Sequence, residues 1–208
     1  MTLVIVTAVA AEADALGDVH GAIVVAGGVG RTNAAATTTE IIVRRGDVTG
    51  VISAGIAGAL PGGGLSIGDL VLASASVYVE EGMATPDGFT DMRGLGFPLG
   101  DFEGNVVPAD ATMSTWFGAD VARGIIATVA TCSGTDEAAA AVVHRTRAIA
   151  EAMEGAAVVH AARRLGVPAI EIRAISNTTG HRTRQRWDIP AALRTLGTVG
   201  PRLATRSG

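Results

Sequence analysis

Short, almost wholly apolar segments recur along the chain and alternate with stretches of helical periodicity, which is the pattern of an α/β fold. The run at residues 48–54 is β-branched and nearly continuously apolar, as expected of a strand buried on both faces of a sheet. Similar runs predict further strands at residues 3–8, 22–26, 70–79, 124–131 and 169–176. The intervening patterns predict helices at residues 31–45, 136–146, 154–165 and 189–203, the last broken near Gly200 and Pro201.

The remaining long segment, residues 82–105, is rich in glycine, proline and aspartate and predicts an extended loop. A loop of this length within one domain is usually functional or mobile. No internal repeat or linker divides the 208 residues, so we expect a single domain over residues 1–208.

The composition argues against several classes of function. The net charge is −4 and the basic residues, all of them arginine, are scattered, so we expect no nucleic-acid partner. No apolar run approaches the ~20 residues of a membrane span, and the apolar N-terminus lacks the basic flank of a signal peptide. We therefore expect a cytoplasmic protein with no membrane partner. The single Cys132 excludes an internal disulfide, and we expect it to be a small buried residue at a strand end rather than a nucleophile.

Four polar features lie where predicted strands end or the next helix begins, the edge at which open α/β sheets bind ligands. They are Glu12, the segment 53–58, Glu154 and the pair Ser176-Asn177. Each also has an ordinary structural interpretation. Carboxylates are favoured in the first turn of a helix, and the glycine-containing segment and the Ser-Asn pair are typical of turns. The segment 53–58 lacks the Lys-[Ser/Thr] of a P-loop, and Gly28-Val29-Gly30 lacks the third glycine of a dinucleotide loop.

Taken in order, these features resemble the nucleoside phosphorylase and nucleosidase superfamily over nearly the whole chain. The matching segments are the first strand with Glu12, Gly-X-Ala-Gly at 55–58, Ile-Gly-Asp-Leu-Val at 67–71, Ser133-Gly134, Met-Glu-Gly-Ala-Ala at 153–157 and Arg-Ala-Ile-Ser-Asn at 173–177. Within the superfamily the chain is most similar to the futalosine hydrolase family, which also carries Ser-Asn at the last of these segments. The resemblance implies a three-layer α-β-α fold with a central mixed, twisted sheet.

The resemblance also implies roles for individual residues. In the related methylthioadenosine/S-adenosylhomocysteine nucleosidases, the position matching Glu12 activates water and the position matching Glu154 holds ribose hydroxyls. An aspartate at the position that matches Asn177 helps to protonate the purine at N7. Carboxylates suit this chemistry because glycosidic cleavage develops positive charge on the sugar. Carried over, Glu12 is the general base, Glu154 the ribose clamp and Asn177 the purine contact. The further substrate contacts implied are Ile56, Ala57, Gly58, Met153 and Ser176.

Two departures from the superfamily refine the reaction. Hexameric phosphorylases bind phosphate through an arginine and a serine at positions that match Ser53 and Ile56. Neither Ser53 nor Ile56 has a guanidinium group that could bind phosphate through two hydrogen bonds. We therefore expect hydrolysis rather than phosphorolysis, although Arg31 could still rescue a phosphate site. Asn177 replaces an aspartate, and its amide can donate to the O6 acceptor of a 6-oxopurine, which a carboxylate would repel. This change favours hypoxanthine over adenine as the leaving base.

Futalosine also carries a benzoate-bearing arm, and the arginine-rich loop 180–187 follows Asn177 closely. One hypothesis is that Arg182, Arg184 or Arg186 pairs with the substrate carboxylate while Trp187 gives apolar cover; a solvated basic loop is the other interpretation. His144 and His160 fall within predicted helices, where packing or surface roles are expected.

The sequence thus predicts a futalosine-hydrolysing enzyme without metal or other cofactor, whose partners are a purine nucleoside and further copies of itself. The alternatives are a methylthioadenosine/S-adenosylhomocysteine nucleosidase, a purine nucleoside phosphorylase and, in a different class, a non-catalytic nucleoside-binding domain on the same fold.

Overall fold

The computed structural model describes residues 2–204. Its strands are β1 (Thr2–Thr7), β2 (Ala22–Ala26), β3 (Val48–Ala59), β4 (Leu70–Tyr78), β5 (Gly82–Thr85), β6 (Gly88–Asp91), β7 (Val106–Pro108), β8 (Ala122–Thr128), β9 (Ala150–Ala152) and β10 (Ala169–Thr178). Its α-helices are α1 (Ala10–Leu16), α2 (Arg31–Arg45), α3 (Ala111–Ser114), α4 (Asp136–Thr146), α5 (Gly155–Arg164), α6 (Ile189–Leu196) and α7 (Val199–Ala204).

The central sheet is mixed, and part of it closes on itself. Strand β3 pairs in parallel with β1 and β10 and antiparallel with β9. From β10 the pairing continues antiparallel to β4, then in parallel to β8 and β9, which returns it to β3. Strands β1 and β2 extend the sheet beyond β3. This closure brings the carboxyl-terminal half of β3 against both β9 and β10, so polar residues from three distant segments meet there.

Helices cover both faces of the sheet, and the alternation of side chains along β1 shows how. Leu3 and Ile5 pack in one apolar cluster with Leu16 of α1 and Leu196 of α6. Val4 and Val6, which point to the opposite face, join a second cluster that includes residues of α2 and α5. The predicted three-layer arrangement around a mixed sheet is therefore confirmed.

The bounds of α2 and α4 agree with prediction because both helices have clear end signals. Helix α2 ends at Gly46, whose φ of 68° is the left-handed conformation that glycine adopts without strain. Helix α4 begins after Thr135, whose side chain accepts the backbone N–H of Ala138. The terminal helical segment is interrupted, as predicted, but after Leu196 rather than at Gly200.

Two segments differ from the sequence-based expectation. Strand β3 continues to Ala59, because the glycine-containing segment that resembles a turn is extended backbone paired with β10. Gly55 and Gly58 do not have positive φ, so their lack of a side chain serves another purpose. Residues 82–105 are not wholly a loop, since β5 and β6 form an antiparallel hairpin within them.

Candidate active site

Glu12 lies in the first turn of α1 and is buried, with 4% of its surface exposed. One carboxylate oxygen, Oε2, accepts the backbone N–H groups of Ala8 (2.9 Å) and Val9 (3.2 Å). The other, Oε1, accepts the N–H of Ile56 in β3 at 2.8 Å. An ordinary first-turn glutamate is solvated, whereas this one is fixed by three donors from two separate segments.

Glu154 is the N-cap residue of α5, yet its side chain does not cap that helix. The hydroxyl of Thr128 accepts the N–H of Ala156 instead, which leaves the Glu154 carboxylate free for other contacts. Its Oε1 accepts the N–H of Gly30 at 2.9 Å, and its Oε2 accepts that of Met153 at 3.2 Å. Gly30 has a φ of 90°, so the glycine-rich turn before α2 serves to present a backbone donor to Glu154.

Arg173 lies beside Glu154 and approaches Glu12 across Gly55, and the sequence did not assign it a role. Its side chain is 1% exposed, and its Nη1 lies 3.6 Å from Glu154 Oε2. Its Nε donates to Glu171 at 2.9 Å and its Nη2 to the hydroxyl of Ser53 at 3.1 Å. A charged residue at a central position of a buried strand was the available signal, because arginine is almost never fully buried without a partner.

Gly55 is the point at which Glu12 and Arg173 approach each other. A Cβ atom placed on this glycine would lie 2.5 Å from Arg173 Nη1 and 2.6 Å from Glu12 Oε1. The absence of a side chain therefore allows both polar groups to contact the same stretch of β3. Arg173 and Gly55 are also register partners in the parallel pairing of β10 with β3.

The resulting cluster has more negative than positive groups. Burial works against the charge on Arg173, but the carboxylates of Glu171, Glu154 and Glu12 outweigh it and raise the pKa of Arg173 above its ordinary value. Burial raises the pKa of Glu171. Carboxylates gathered in a site of low dielectric stabilise a positive charge that develops on a substrate more strongly than they would in water.

Ser176 and Asn177 form the second polar element of the site. They lie in β10 rather than in a turn, at a shift of register where β10 pairs with β3. Such an irregularity redirects side chains, and here the Ser176 hydroxyl lies 2.8 Å from Asn177 Oδ1. Asn177 Nδ2 donates to the Thr178 carbonyl at 3.0 Å, which fixes the orientation of the amide. Gly58 makes room for this amide, since a Cβ there would lie 3.0 Å from Nδ2.

The remaining predicted contacts lie in the same part of β3 and β9. Ala57 and Gly58 are buried in β3, and Ile56 is partly buried beside them. Met153 follows β9 directly and packs against an apolar cluster. Ser53 is buried and bonded to Arg173, so it belongs to the charged cluster.

The loop 180–187 runs beside Asn177, to which Trp187 is bridged through the backbone. Residues 182–184 form a 3-10 turn. Arg184 is exposed and pairs with Asp136 at the start of α4. Arg182 lies over the ring of Trp187, with 5.0 Å between its guanidinium carbon and the ring centroid. Of the three arginines named in the hypothesis, Arg182 is the one that lies over Trp187.

Three other sequence-based expectations have clear outcomes. Arg31 pairs with Glu81 at 2.9 Å and with Glu80 at 3.5 Å, so its charge is already neutralised. The expectation of a buried Cys132 is wrong: β8 ends at Thr128, and the cysteine is exposed in the following loop. His144 and His160 lie in α4 and α5, as predicted.

Two further kinds of feature are absent within residues 2–204. No group of three or more His, Cys, Asp or Glu side chains is placed to hold a metal ion there. Likewise, none of the helices in this range is long and apolar enough to cross a membrane.

Comparison with known proteins gives consistent matches over nearly the whole chain. The phosphorylase superfamily profile matches residues 13–206. A futalosine hydrolase from Acidothermus cellulolyticus is 38% identical over 212 residues, covering 92% of this chain and 86% of that protein.

Solved structures share the fold. Native futalosine hydrolase of Helicobacter pylori strain 26695 has a TM-score of 0.77 at 22% identity, covering 99% of this chain and 96% of that one. The 5'-methylthioadenosine/S-adenosylhomocysteine nucleosidase of Helicobacter pylori, with butyl-thio-DADMe-Immucillin-A, has a TM-score of 0.76 at 20% identity and covers 99% and 97%. The predicted nucleoside phosphorylase-like fold class is confirmed.

Proposed function

Because the chain belongs to the phosphorylase superfamily and, within it, to the futalosine hydrolase family, we propose that it hydrolyses the N-glycosidic bond of futalosine. The products are hypoxanthine and dehypoxanthine futalosine, an intermediate of menaquinone biosynthesis. The observation that carries this proposal is the buried cluster in which Glu12 and Glu154 flank a single arginine, Arg173.

In this proposal Glu12 is the general base. A carboxylate offers about four lone-pair positions, and three of those on Glu12 accept backbone N–H groups. The remaining position accepts a proton from the attacking water. The three fixed donors hold the carboxylate still, so that the base needs no reorganisation when the water attacks C1' of the ribose. Such general-base assistance contributes a factor of about 10²–10⁴ in rate.

Glu154 is the ribose clamp and the main electrostatic partner of the sugar. Its carboxylate accepts ribose hydroxyls, and its negative charge stabilises the oxocarbenium character of the transition state. Met153 packs beside the sugar. The donors from Gly30 and Met153 orient the Glu154 carboxylate without neutralising it, because backbone N–H groups carry no net charge.

The charges of the cluster favour water over phosphate as nucleophile. A phosphate dianion would approach Glu12 and Glu154, both negative when ionised, and would be repelled. Arg173 is already bonded to Glu171 and Ser53, and Arg31 is paired with Glu80 and Glu81. Neither arginine therefore offers the free bidentate fork that phosphate sites use.

Asn177 selects a 6-oxopurine. One N–H of its Nδ2 donates to Thr178, and the second is available to an acceptor such as O6 or N7 of hypoxanthine. The Ser176 hydroxyl near Oδ1 keeps the amide from rotating. Adenine has an amino group at position 6, which is a donor, so the Asn177 amide N–H could not form a hydrogen bond with it.

The benzoate-bearing arm of the substrate binds at loop 180–187 in this proposal, with Trp187 as apolar cover. Arg184 pairs with Asp136, whereas Arg182 lies over Trp187 with Gln185 as its polar partner. Arg182 is therefore the better placed of the two to bind a carboxylate. Arg182→Ala should raise KM for futalosine more than Arg184→Ala does. If both variants have the KM of the parent protein, these arginines do not bind the substrate carboxylate.

Incubation with futalosine, inosine and methylthioadenosine, followed by identification of the released base, tests the proposed substrate. We expect hypoxanthine from futalosine at the highest kcat/KM. Release of adenine from methylthioadenosine as the main activity would identify a methylthioadenosine nucleosidase, and binding without turnover of any of the three would identify a nucleoside-binding domain.

A further inference from the structure

Glu171 is a fully buried carboxylate to which the mechanism above gives no role. It lies in β10 two residues before Arg173, so both side chains point to the same face of the strand. Its Oε1 accepts the Nε–H of Arg173 at 2.9 Å, and its Oε2 accepts the hydroxyl of Ser76 in β4 at 2.5 Å. Glu171 therefore contacts Arg173 at Nε, whereas Glu154 lies near Nη1 of the same guanidinium.

The neighbouring helix is built to accommodate this carboxylate. A Cβ on Gly155, the first residue of α5, would lie 1.9–2.0 Å from the three carboxyl atoms of Glu171. Gly155 does not have positive φ, so the carboxylate and not the backbone conformation requires glycine there. A buried charge is costly, and an apolar replacement for a buried ion pair is often neutral or stabilising. Stability alone is thus a poor explanation for Glu171.

The contacts of the guanidinium suggest a reason. Arginine carries five N–H donors in one plane. Glu171 holds the Nε–H, and Ser53 accepts from Nη2, so the plane of the group is fixed at two points. What remains is Nη1, which faces Glu154 at 3.6 Å and approaches Glu12 across Gly55.

We propose that Glu171 is a positioning residue: together with Ser76 it holds the guanidinium of Arg173 so that Nη1 faces the space between Glu12 and Glu154. The attacking water and the ribose hydroxyls occupy that space, so this inference rests on the proposed function. Glu171 itself does not touch the substrate.

The test compares Glu171→Gln with the parent protein and with Glu151→Gln as a matched control. Glu151 is also a buried glutamate bonded to a serine, Ser133, but it makes no hydrogen bond or ion pair with Arg173. We expect Glu171→Gln to lower kcat for hypoxanthine release about 10- to 100-fold, because a misplacement of about 1 Å at a reacting centre costs roughly 100-fold and a smaller one costs less. We expect KM to change much less, and Glu151→Gln to keep both constants near the parent values.

A pH profile separates positioning from a merely structural role. Glu171→Gln removes a buried carboxyl group that contacts Arg173 within the charged cluster. The acid limb of the kcat profile should therefore shift in Glu171→Gln and stay in place in Glu151→Gln. Ser76→Ala removes only the hydroxyl that donates to Glu171 and should lower kcat by a smaller factor. This variant keeps the test possible if Glu171→Gln does not fold.

The outcomes distinguish this inference from the proposed function. If the parent protein releases no hypoxanthine from futalosine, the proposed substrate is wrong, and the variants are compared on whichever nucleoside the protein cleaves. If the parent protein is active but Glu171→Gln and Ser76→Ala retain its kcat and its acid limb, positioning by Glu171 is refuted. A crystal structure of Glu171→Gln with Nη1 of Arg173 unmoved would refute it as well.

Discussion

Substitution of Gly55 by alanine tests the geometry of the site without removing any of its polar groups. The new Cβ would lie 2.5 Å from Arg173 Nη1 and 2.6 Å from Glu12 Oε1, whereas ordinary contacts begin at 3.4 Å. Each group would have to withdraw by about 0.8 Å or more, because the strand that carries Gly55 is paired on both sides. Both the base and the arginine would then be misplaced at once.

The expected loss follows from that displacement. A misplacement of about 1 Å costs roughly 100-fold in rate, equivalent to about 2.7 kcal/mol of transition-state stabilisation. Overpacking of a buried site adds about 1–3 kcal/mol of destabilisation, so thermal unfolding is measured beside activity. The assay is hypoxanthine release from futalosine at saturating and at low substrate concentration, which gives kcat and kcat/KM.

Gly50→Ala is the matched control, because Gly50 lies in the same strand and its added Cβ would also meet close contacts. Those contacts are flexible apolar ends, at 3.2 Å from Leu3 Cδ1 and 3.3 Å from Met113 Cε, away from the charged cluster. We expect Gly50→Ala to change stability and leave kcat near the parent value. If Gly55→Ala retains as much activity as Gly50→Ala, catalysis does not depend on the close approach of Glu12 and Arg173 at Gly55.

Three further predictions address the leaving base, the nucleophile and the buried charges. Asn177→Asp should shift the ratio of kcat/KM toward adenine nucleosides, since its Nδ2 donor is lost; an unchanged ratio in a competition between futalosine and methylthioadenosine would contradict the assigned base contact. Addition of phosphate should neither accelerate base release nor produce a sugar 1-phosphate, and a phosphate-dependent rate would indicate phosphorolysis. Burial raises the pKa of Glu151, so its contribution to stability is largest below the ordinary value of 4.5 and is lost as pH rises through the raised value. Glu151→Gln should therefore improve Tm more at pH ~7 than at pH ~4, and the reverse order would contradict this sign.

Much of the fold follows from local sequence signals. The bounds of α2 and α4 coincide with prediction because Gly46 and Thr135 mark their ends through local chemistry. Strand β3 extends past its predicted end because Gly55 and Gly58, three residues apart, locally resemble a turn. Their extended backbone is required by β10, more than 100 residues away in the sequence, and by the polar groups that contact them.

The site was predicted in part, for a similar reason. Glu12 and Glu154 look locally like ordinary carboxylates near helix starts, and their burial depends on donors from Ile56 and Gly30 in other segments. Arg173 and Glu171 were missed as a pair. Two opposite charges two residues apart within an otherwise apolar strand are the signal that could have found them. Cys132 was misjudged because β8 ends three residues earlier than its apolar run suggests.

In the proposed reaction, Glu12 activates the water that attacks the glycosidic carbon. The most direct test is the rate of hypoxanthine release from futalosine by the parent protein and by Glu12→Gln, in phosphate-free buffer and with the Tm of both proteins measured. We expect steady release by the parent protein and a kcat reduced about 10²–10⁴-fold in the variant. A folded Glu12→Gln variant that releases hypoxanthine at the parent rate would contradict this expectation.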